Sequence, residues 1–88
     1  MLAFEDNVIQ NTPQDASNLN DRNLKTGIYY ATGSATGMPM ATSGFLLVLK
    51  RDNTNITQIF FRYRDNEIWE RHYNTVSSTG WKSWVKLH

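Results

Sequence analysis

The chain contains no cysteine, and this absence limits how so short a sequence can be held in one fold. Its 88 residues form at most one domain, and small domains often rely on disulfides, metal ions or association with other chains. Disulfides and thiolate metal sites are excluded. Only His72 and His88 offer an imidazole, so we expect no multi-histidine metal site. Association with other copies is the remaining source of support.

Uncharged polar side chains are unusually frequent, with nine Asn, nine Thr and six Ser. The aromatic share of 12% nevertheless argues against disorder. The longest apolar run, Phe45 to Leu49, is far shorter than the ~20 residues that cross a bilayer. The N-terminus also lacks the basic and apolar regions of a signal peptide. We therefore expect a folded, polar domain without membrane insertion.

Strand-forming residues dominate from Gly27 onwards. The apolar run at 44–49 predicts a strand that is covered on both faces. Asp65-Asn66 predicts a two-residue hairpin turn, and a second turn is expected at 77–80. The predicted strands are 27–31, 44–49, 56–64, 67–73 and 81–87. Residues 21–88 are thus predicted to form a mainly β domain, a small antiparallel meander of four or five strands.

The remaining segments carry weaker signals. Residues 1–20 are predicted to be an N-terminal arm or a short helical segment. A helical turn would start with Thr12 as its cap, Pro13 at its first position and Asp15 near the amide end of its dipole. The segment 33–43 is rich in Gly, Ser and Thr, and we predict a flexible loop of functional importance.

The predicted hairpin has two chemically different faces. A register that starts from Asp65-Asn66 pairs Arg62 with Trp69 and Phe60 with Arg71. The more apolar face carries Ile59, Phe61, Tyr63 and Ile68, with His72 across from Ile59, and we assign this face to the core. On the other face, arginines alternate with aromatic rings, where each exposed stacked pair contributes ~0.5–1 kcal/mol.

The tryptophans of Trp81-Lys82-Ser83-Trp84 are expected to differ in burial. Residues three apart on a straight strand point to opposite faces. We therefore predict Trp81 inside with Val85 and Leu87, and Trp84 outside between Lys82 and Lys86. An exposed tryptophan suits sugar stacking, subunit contact or base stacking. The alternative is that Trp84 covers one end of a small core.

No arrangement of residues predicts catalysis. Hydrolysis by serine or cysteine needs a nucleophile beside a base and an orienting acid, and His72 is the only internal histidine. Glu67 and Glu70 lie three apart on a predicted strand, so they point to opposite faces, and we expect them to pair with Arg64 and Arg71. Phosphate, dinucleotide and calcium loops are absent from the sequence. We expect no enzyme, catalytic residue, cofactor or metal.

Five segments, in this order and spacing, carry a family resemblance: 21–30 (DRNLKTGIYY), 44–49 (GFLLVL), 56–61 (ITQIFF), 71–74 (RHYN) and 81–84 (WKSW), with a glycine-rich loop between the first two. Together they resemble the knob domain of R-type pyocin tail fibres and related phage tail-fibre and receptor-binding proteins. The resemblance covers about Asp21 to Leu87. It departs at His72, where such domains more often carry a small polar residue.

The resemblance implies a non-enzymatic structural or adhesion module of a trimeric tail appendage. The receptor of such appendages is usually a bacterial surface glycan. It also implies a place in the virion, after synthesis in the bacterial cytoplasm without a signal peptide. We expect the chain to be either an excised domain or a small accessory tail protein.

Five residues are candidate ligand contacts: Arg62, Trp69, Arg71, Tyr73 and Trp84. Stacking on tryptophan and hydrogen bonds from arginine would hold a sugar. One alternative is a purely structural, oligomer-forming spacer. A second is a single-stranded nucleic-acid binder, because residues 45–88 carry a formal charge of +3 and residues 1–44 carry −2. The total charge of +1 makes nucleic acid the weaker alternative, and we expect no such partner.

Overall fold

The computed structural model describes residues 13–75 and 80–88, which form one mixed, strongly curled half-barrel sheet of seven strands. The strands are β1 (Gln14–Asn18), β2 (Gly27–Thr36), β3 (Gly44–Asp52), β4 (Asn55–Arg62), β5 (Glu67–Asn74), β6 (Gly80–Trp81) and β7 (Val85–Lys86). Strands β2 to β6 pair antiparallel in chain order, and β7 also pairs with β5. The predicted β class and the meander are confirmed, but the sheet has more strands than predicted and is mixed.

The mixed character comes from β1, where we predicted a helical turn. Thr12 lies outside the described residues, while Gln14 onwards forms a strand parallel to β2, with Ala16 opposite Ala31. The pairing buries Ala16 and brings Leu19 into the core, where its amide donates to the Thr36 carbonyl at 2.8 Å. The helix prediction is wrong because pairing with the edge of β2 satisfies more backbone groups than a capped single turn would.

The same pairing shortens the predicted loop at 33–43. Residues 33–36 continue β2, because Asn18 of β1 still pairs with Thr36. The connection to β3 is therefore only 37–43. It begins at Gly37, whose φ of +83° is in the left-handed region. A Cβ there would lie 2.5 Å from Asn20 Oδ1, so glycine lets the loop pass close to the β1–β2 connection.

The core lies on the concave side of the sheet, which we call the inner face. Cross-strand neighbours build it in rows, one of which runs through Tyr29, Leu46, Phe60 and Trp69. The adjacent row runs through Gly27, Val48, Gln58 and Arg71. Except for the half-buried Trp69, all of these residues are buried. The core therefore contains a glutamine and an arginine among its apolar side chains.

The register of the β4–β5 hairpin explains why the polar residues are inside. Phe61 pairs with Ile68 and Gln58 with Arg71, so the turn is the four-residue segment 63–66, in which Asn66 has a φ of 61°. The predicted register is off by two residues. An even shift keeps residues grouped on the same faces, but the face we assigned to the core is the outer one. Phe60 is buried on the inner face instead, where Gln58 and Arg71 both donate to the buried Leu19 carbonyl.

Candidate functional site

The convex side of the sheet, which we call the outer face, is predominantly apolar. One cross-strand row runs through Tyr30, Phe45, Phe61 and Ile68. The next row runs through Ile28, Leu47, Ile59, Glu70 and Val85. We call these two rows, with Tyr63 and Leu87 at their margin and without Glu70, the outer apolar surface. All described strands belong to the one sheet, so no second layer of described strands packs on it.

Several side chains of the outer apolar surface are strongly exposed. Phe61, Tyr63, Val85 and Leu87 are 36–57% exposed. These four were predicted to be in the core, and the prediction is wrong because the core lies on the other face. Leu49, beyond the second row, is 45% exposed, so β3 is not covered on both faces as predicted. Contiguous exposed apolar surface of this kind marks an interaction site in soluble proteins.

Aromatic rings on this surface hold one another in place. The Tyr30 and Phe45 rings lie 5.7 Å apart edge to face, and the Phe45 and Tyr63 rings lie 5.5 Å apart. Hydrogen bonds with Ser43 and Tyr63 lower the pKa of Tyr30, and the hydrogen bond with Tyr30 raises the pKa of Tyr63. These contacts join aromatic rings of β2, β3 and the β4–β5 turn on one face of the sheet.

Arg71 lies at the centre of the inner face and is 5% exposed. Its Nε donates to Gln58 Oε1 at 2.8 Å, and its Nη2 donates to the Leu19 carbonyl and to Asn20 Oδ1, both at 3.0 Å. The guanidinium carbon lies 3.9 Å from the centre of the Trp81 ring and 4.6 Å from that of Trp84. Burial lowers the pKa of Arg71 to about 10. We call Gln58, Arg71, Trp81 and Trp84 the arginine cluster.

Both tryptophans of the cluster pack against the core, which corrects the prediction that Trp84 lies outside. Residues 82–84 interrupt the strand between β6 and β7, so the alternation of a straight strand does not apply. Trp84 packs edge to face on Phe60 at 6.5 Å and donates to the Gly37 carbonyl at 2.8 Å. Trp81 donates to the Asn20 carbonyl at 3.1 Å. The alternative that Trp84 covers one end of the core describes this position.

The remaining predicted ligand contacts lie on the inner face and are engaged by other residues of the chain. Trp69 is half-buried, packs on the core, and donates to Glu67 at 3.1 Å. Tyr73 also packs on the core, with the Arg22 guanidinium 4.8 Å above its ring. Arg62 is half-buried, and its Nη1 lies 3.1 Å from Met40 Sδ. Arg62, Trp69, Arg71, Tyr73 and Trp84 therefore share the inner face, but their polar groups mainly bind other parts of the chain.

The predicted ion pairs of the hairpin are replaced by others. Glu67 lies 3.4 Å from Lys86 Nζ and 3.8 Å from Arg62, rather than beside Arg64. The hydrogen bond from Trp69, followed by that from Lys86, lowers the pKa of Glu67. Arg71 has no carboxylate partner within the described ranges. His72 is exposed and lies across from Thr57 rather than Ile59, because of the two-residue shift in register.

Comparison with known proteins gives no relative. The sequence matches no family model, no curated protein and no solved structure. In residues 13–75 and 80–88, no helix is long and apolar enough to span a membrane. The same residues contain no cluster of three or more His, Cys, Asp or Glu side chains placed to hold a metal ion.

The sequence analysis did not predict the outer apolar surface as a site, although it recognised most of its residues as apolar strand residues. Ile28, Tyr30, Phe45 and Leu47 were treated as ordinary strand residues because an apolar side chain predicts burial. The signal that could have found the surface is the excess of apolar positions. Apolar residues at both parities of β3 and β4 give a single-layer sheet two apolar faces, and the described chain can cover only one.

Proposed function

We propose that this protein is a non-enzymatic structural module of a phage tail fibre or phage-derived particle, in which the outer apolar surface is covered by further copies of the chain. The observation that carries the self-association is this continuous apolar surface on a single-layer sheet. The assignment to a tail fibre rests on the motif order that resembles pyocin knob domains. That resemblance also gives the expected number of copies, which is three.

Burial energetics favour covering the surface. Fully burying a large apolar side chain contributes roughly 1.5–3 kcal/mol relative to its exposed state. Phe61, Tyr63, Val85 and Leu87 retain a third or more of their exposure, so each stands to gain a substantial part of this energy. The core of one chain is small, with eight buried apolar residues in the described ranges. Association would stabilise the folded chain, which has no disulfide bonds to do so.

A second copy suits this surface better than an unrelated partner of high charge. The two rows contain one carboxylate, that of Glu70, which lies 3.6 Å from His72 of the same strand. Around a three-fold axis, each copy can turn the same face toward the axis, so that every outer apolar surface is covered by the two neighbouring copies.

Contact with bacterial surface glycan remains part of the proposal, but the inner-face residues give it less support. Trp69, Tyr73 and Trp84 pack on the core, and Arg71 is buried within it. These positions favour the purely structural spacer over stacking of a sugar on Trp84. The main proposed role of the module is therefore structural. Any contact with glycan is proposed to come from residues outside the arginine cluster.

Sedimentation of the chain and of a charged variant tests the self-association. The chain of 10.2 kDa is expected to sediment as a trimer at micromolar concentration. Phe61→Lys places a charge in the first row and is expected to shift the population to monomer. Asn53→Lys, which adds the same charge in the exposed β3–β4 turn, is the matched control and should sediment like the parent. A wild-type monomer, or equal behaviour of the two variants, would contradict the proposal.

A further inference from the structure

A cleft lined by both apolar and polar side chains adjoins the outer apolar surface at one end of the sheet. The cross-strand rows continue there through Leu49, Thr57 and His72, and then through Asn55 and Asn74. The end of β3, the start of β4 and the end of β5 enclose an open cleft of about 560 Å³. None of the residues proposed as ligand contacts from the sequence lies there except Tyr73.

The charges around this cleft are positive. Lys50 and Arg51 are among its lining residues, which include no Asp or Glu. The Lys50 ammonium donates to the Arg22 carbonyl at 2.6 Å, which keeps this cation at the end of the sheet. Arg51 is exposed, and within the described residues no ion pair engages it.

Two acids lie beside the cleft but do not line it. Asp52 accepts from the amide of Thr54 at 2.8 Å and from its hydroxyl at 2.6 Å, and these bonds, with a smaller contribution from the charge of Arg51, lower its pKa. Glu70 faces His72 at 3.6 Å. The lining itself carries the charges of Lys50 and Arg51 and no carboxylate, so it favours an anion over a cation.

Other polar groups, together with the apolar side chains of Leu49 and Ile56, complete the lining. Thr57 Oγ1 and His72 Nδ1 lie 2.9 Å apart, and Asn55 and Asn74 face each other across β4 and β5. Asn74 Oδ1 is buried and has no hydrogen-bond partner in the described structure. A buried acceptor without a partner is costly. Rotation of the Asn74 side-chain amide toward the cleft would let a hydroxyl group of a ligand, or a water molecule, donate to this oxygen.

We propose that this cleft binds a hydroxylated organic anion, with Arg51 and Lys50 attracting its carboxylate or phosphate group and Asn74 and Thr57 bonding its hydroxyl groups. A cation that is free to reorient forms charge-assisted bonds with either anionic group. The cleft lies beyond the two apolar rows, so this inference does not depend on self-association.

Nuclear magnetic resonance titration of the isotopically labelled chain tests the assignment with four probes. D-glucuronate and D-glucose 6-phosphate combine an anionic group with hydroxyls, whereas D-glucose and inorganic phosphate each offer only one of the two. We expect saturable amide shifts at Arg51, Thr57, His72 and Asn74 with at least one of the first pair, and weaker responses to the second pair. The stronger of the first two probes distinguishes a carboxylate ligand from a phosphate ligand.

Arg51→Gln is expected to weaken the better probe about tenfold, because it removes a charge-assisted hydrogen bond. Arg64→Gln removes the same charge from the exposed β4–β5 turn and should leave the affinity unchanged. The inference is overturned if neither organic anion gives saturable shifts, if glucose or inorganic phosphate binds as well, or if the two variants respond alike. Sedimentation of the same samples reports the association state separately, so either proposal can fail alone.

Discussion

Replacing Arg71 by methionine tests whether the arginine cluster holds the core together. Methionine keeps an unbranched stem of similar length but removes the guanidinium, with its hydrogen bonds to Gln58, Leu19 and Asn20. It also removes the contacts with the rings of Trp81 and Trp84. We expect Arg71→Met to destabilise the fold, because these groups join β4, β5 and the β1–β2 connection.

The expected loss of unfolding free energy is the sum of two stabilising contributions from Arg71 minus the cost of burying its charge. Three hydrogen bonds from a charged donor contribute about 1.5 kcal/mol each at the lower end, or roughly 4–5 kcal/mol. Two ring contacts add roughly 1–2 kcal/mol. Burial that lowers the pKa of Arg71 to about 10 costs roughly 3 kcal/mol, which methionine avoids. The net loss is about 2–4 kcal/mol of unfolding free energy, by difference of these terms.

Urea unfolding at one fixed protein concentration, followed by tryptophan fluorescence, measures this loss through the transition midpoint. The double variant Arg71→Met/Gln58→Leu should be less destabilised than the sum of its single variants. It removes both polar partners, whereas Arg71→Met alone leaves Gln58, which is 1% exposed, with an unpaired Oε1. A change below about 0.5 kcal/mol for Arg71→Met, or strict additivity in the double variant, would refute the reasoning.

Three further predictions concern residues of the sheet outside the arginine cluster. Gly44→Ala should lower the unfolding free energy by about 1–3 kcal/mol in chemical denaturation, since a Cβ would lie 2.5 Å from the Phe60 ring; a neutral result would contradict the packing. Asn66→Val should cost about 1–2 kcal/mol in the same assay because valine is unfavourable at a φ of 61°, and Asn66→Gly, as control, should not. The pKa of Glu67 in the folded chain is lowered below its usual 4.5. The ionised carboxylate therefore stabilises the fold above pH 4.5, and this contribution is lost as the pH falls through the folded pKa. Glu67→Gln should thus be less stable than the parent near neutral pH, with the difference vanishing in acid; a constant difference across a denaturation series would count against this contribution.

The sequence predicted the elements that local pattern determines. The strands at 27–31, 44–49 and 67–73 were found because β-branched and aromatic residues are concentrated there. Asn66 lies in the predicted hairpin turn, and asparagine tolerates the positive φ that it adopts there. These features depend on a few neighbouring residues, so they can be inferred without knowledge of the fold.

Features that depend on distant residues were not predictable in this way. The strand at Gln14–Asn18 depends on the free edge of β2, and the interruption at 82–84 depends on Arg71 as the partner of both indoles. The inner and outer faces of β4 were exchanged because apolar content favoured Ile59, Phe61 and Tyr63. The curvature of the sheet instead encloses Gln58 and Arg71, whose burial is stable only because their hydrogen bonds are formed inside.

The candidate site was missed for the same reason. Arginine and tryptophan were selected as ligand contacts because such side chains often bind sugars when they are exposed. In this fold, Arg71 and Trp84 satisfy one another and the Gly37 carbonyl, while the less conspicuous Phe45, Leu47 and Ile59 lie on the outer face. Composition reveals which side chains can bind, but only the curl of the sheet decides which face is available.

Photo-crosslinking from position 61 tests the proposed burial of the outer apolar surface most directly. A benzophenone side chain placed there, in the chain at micromolar concentration, should give covalently linked copies on illumination. Peptide mapping should locate the acceptor on the outer face of the other copy, at residues such as Phe45, Leu47 or Ile59. Absence of linked copies, or acceptors confined to β1 or to the inner face, would contradict the account.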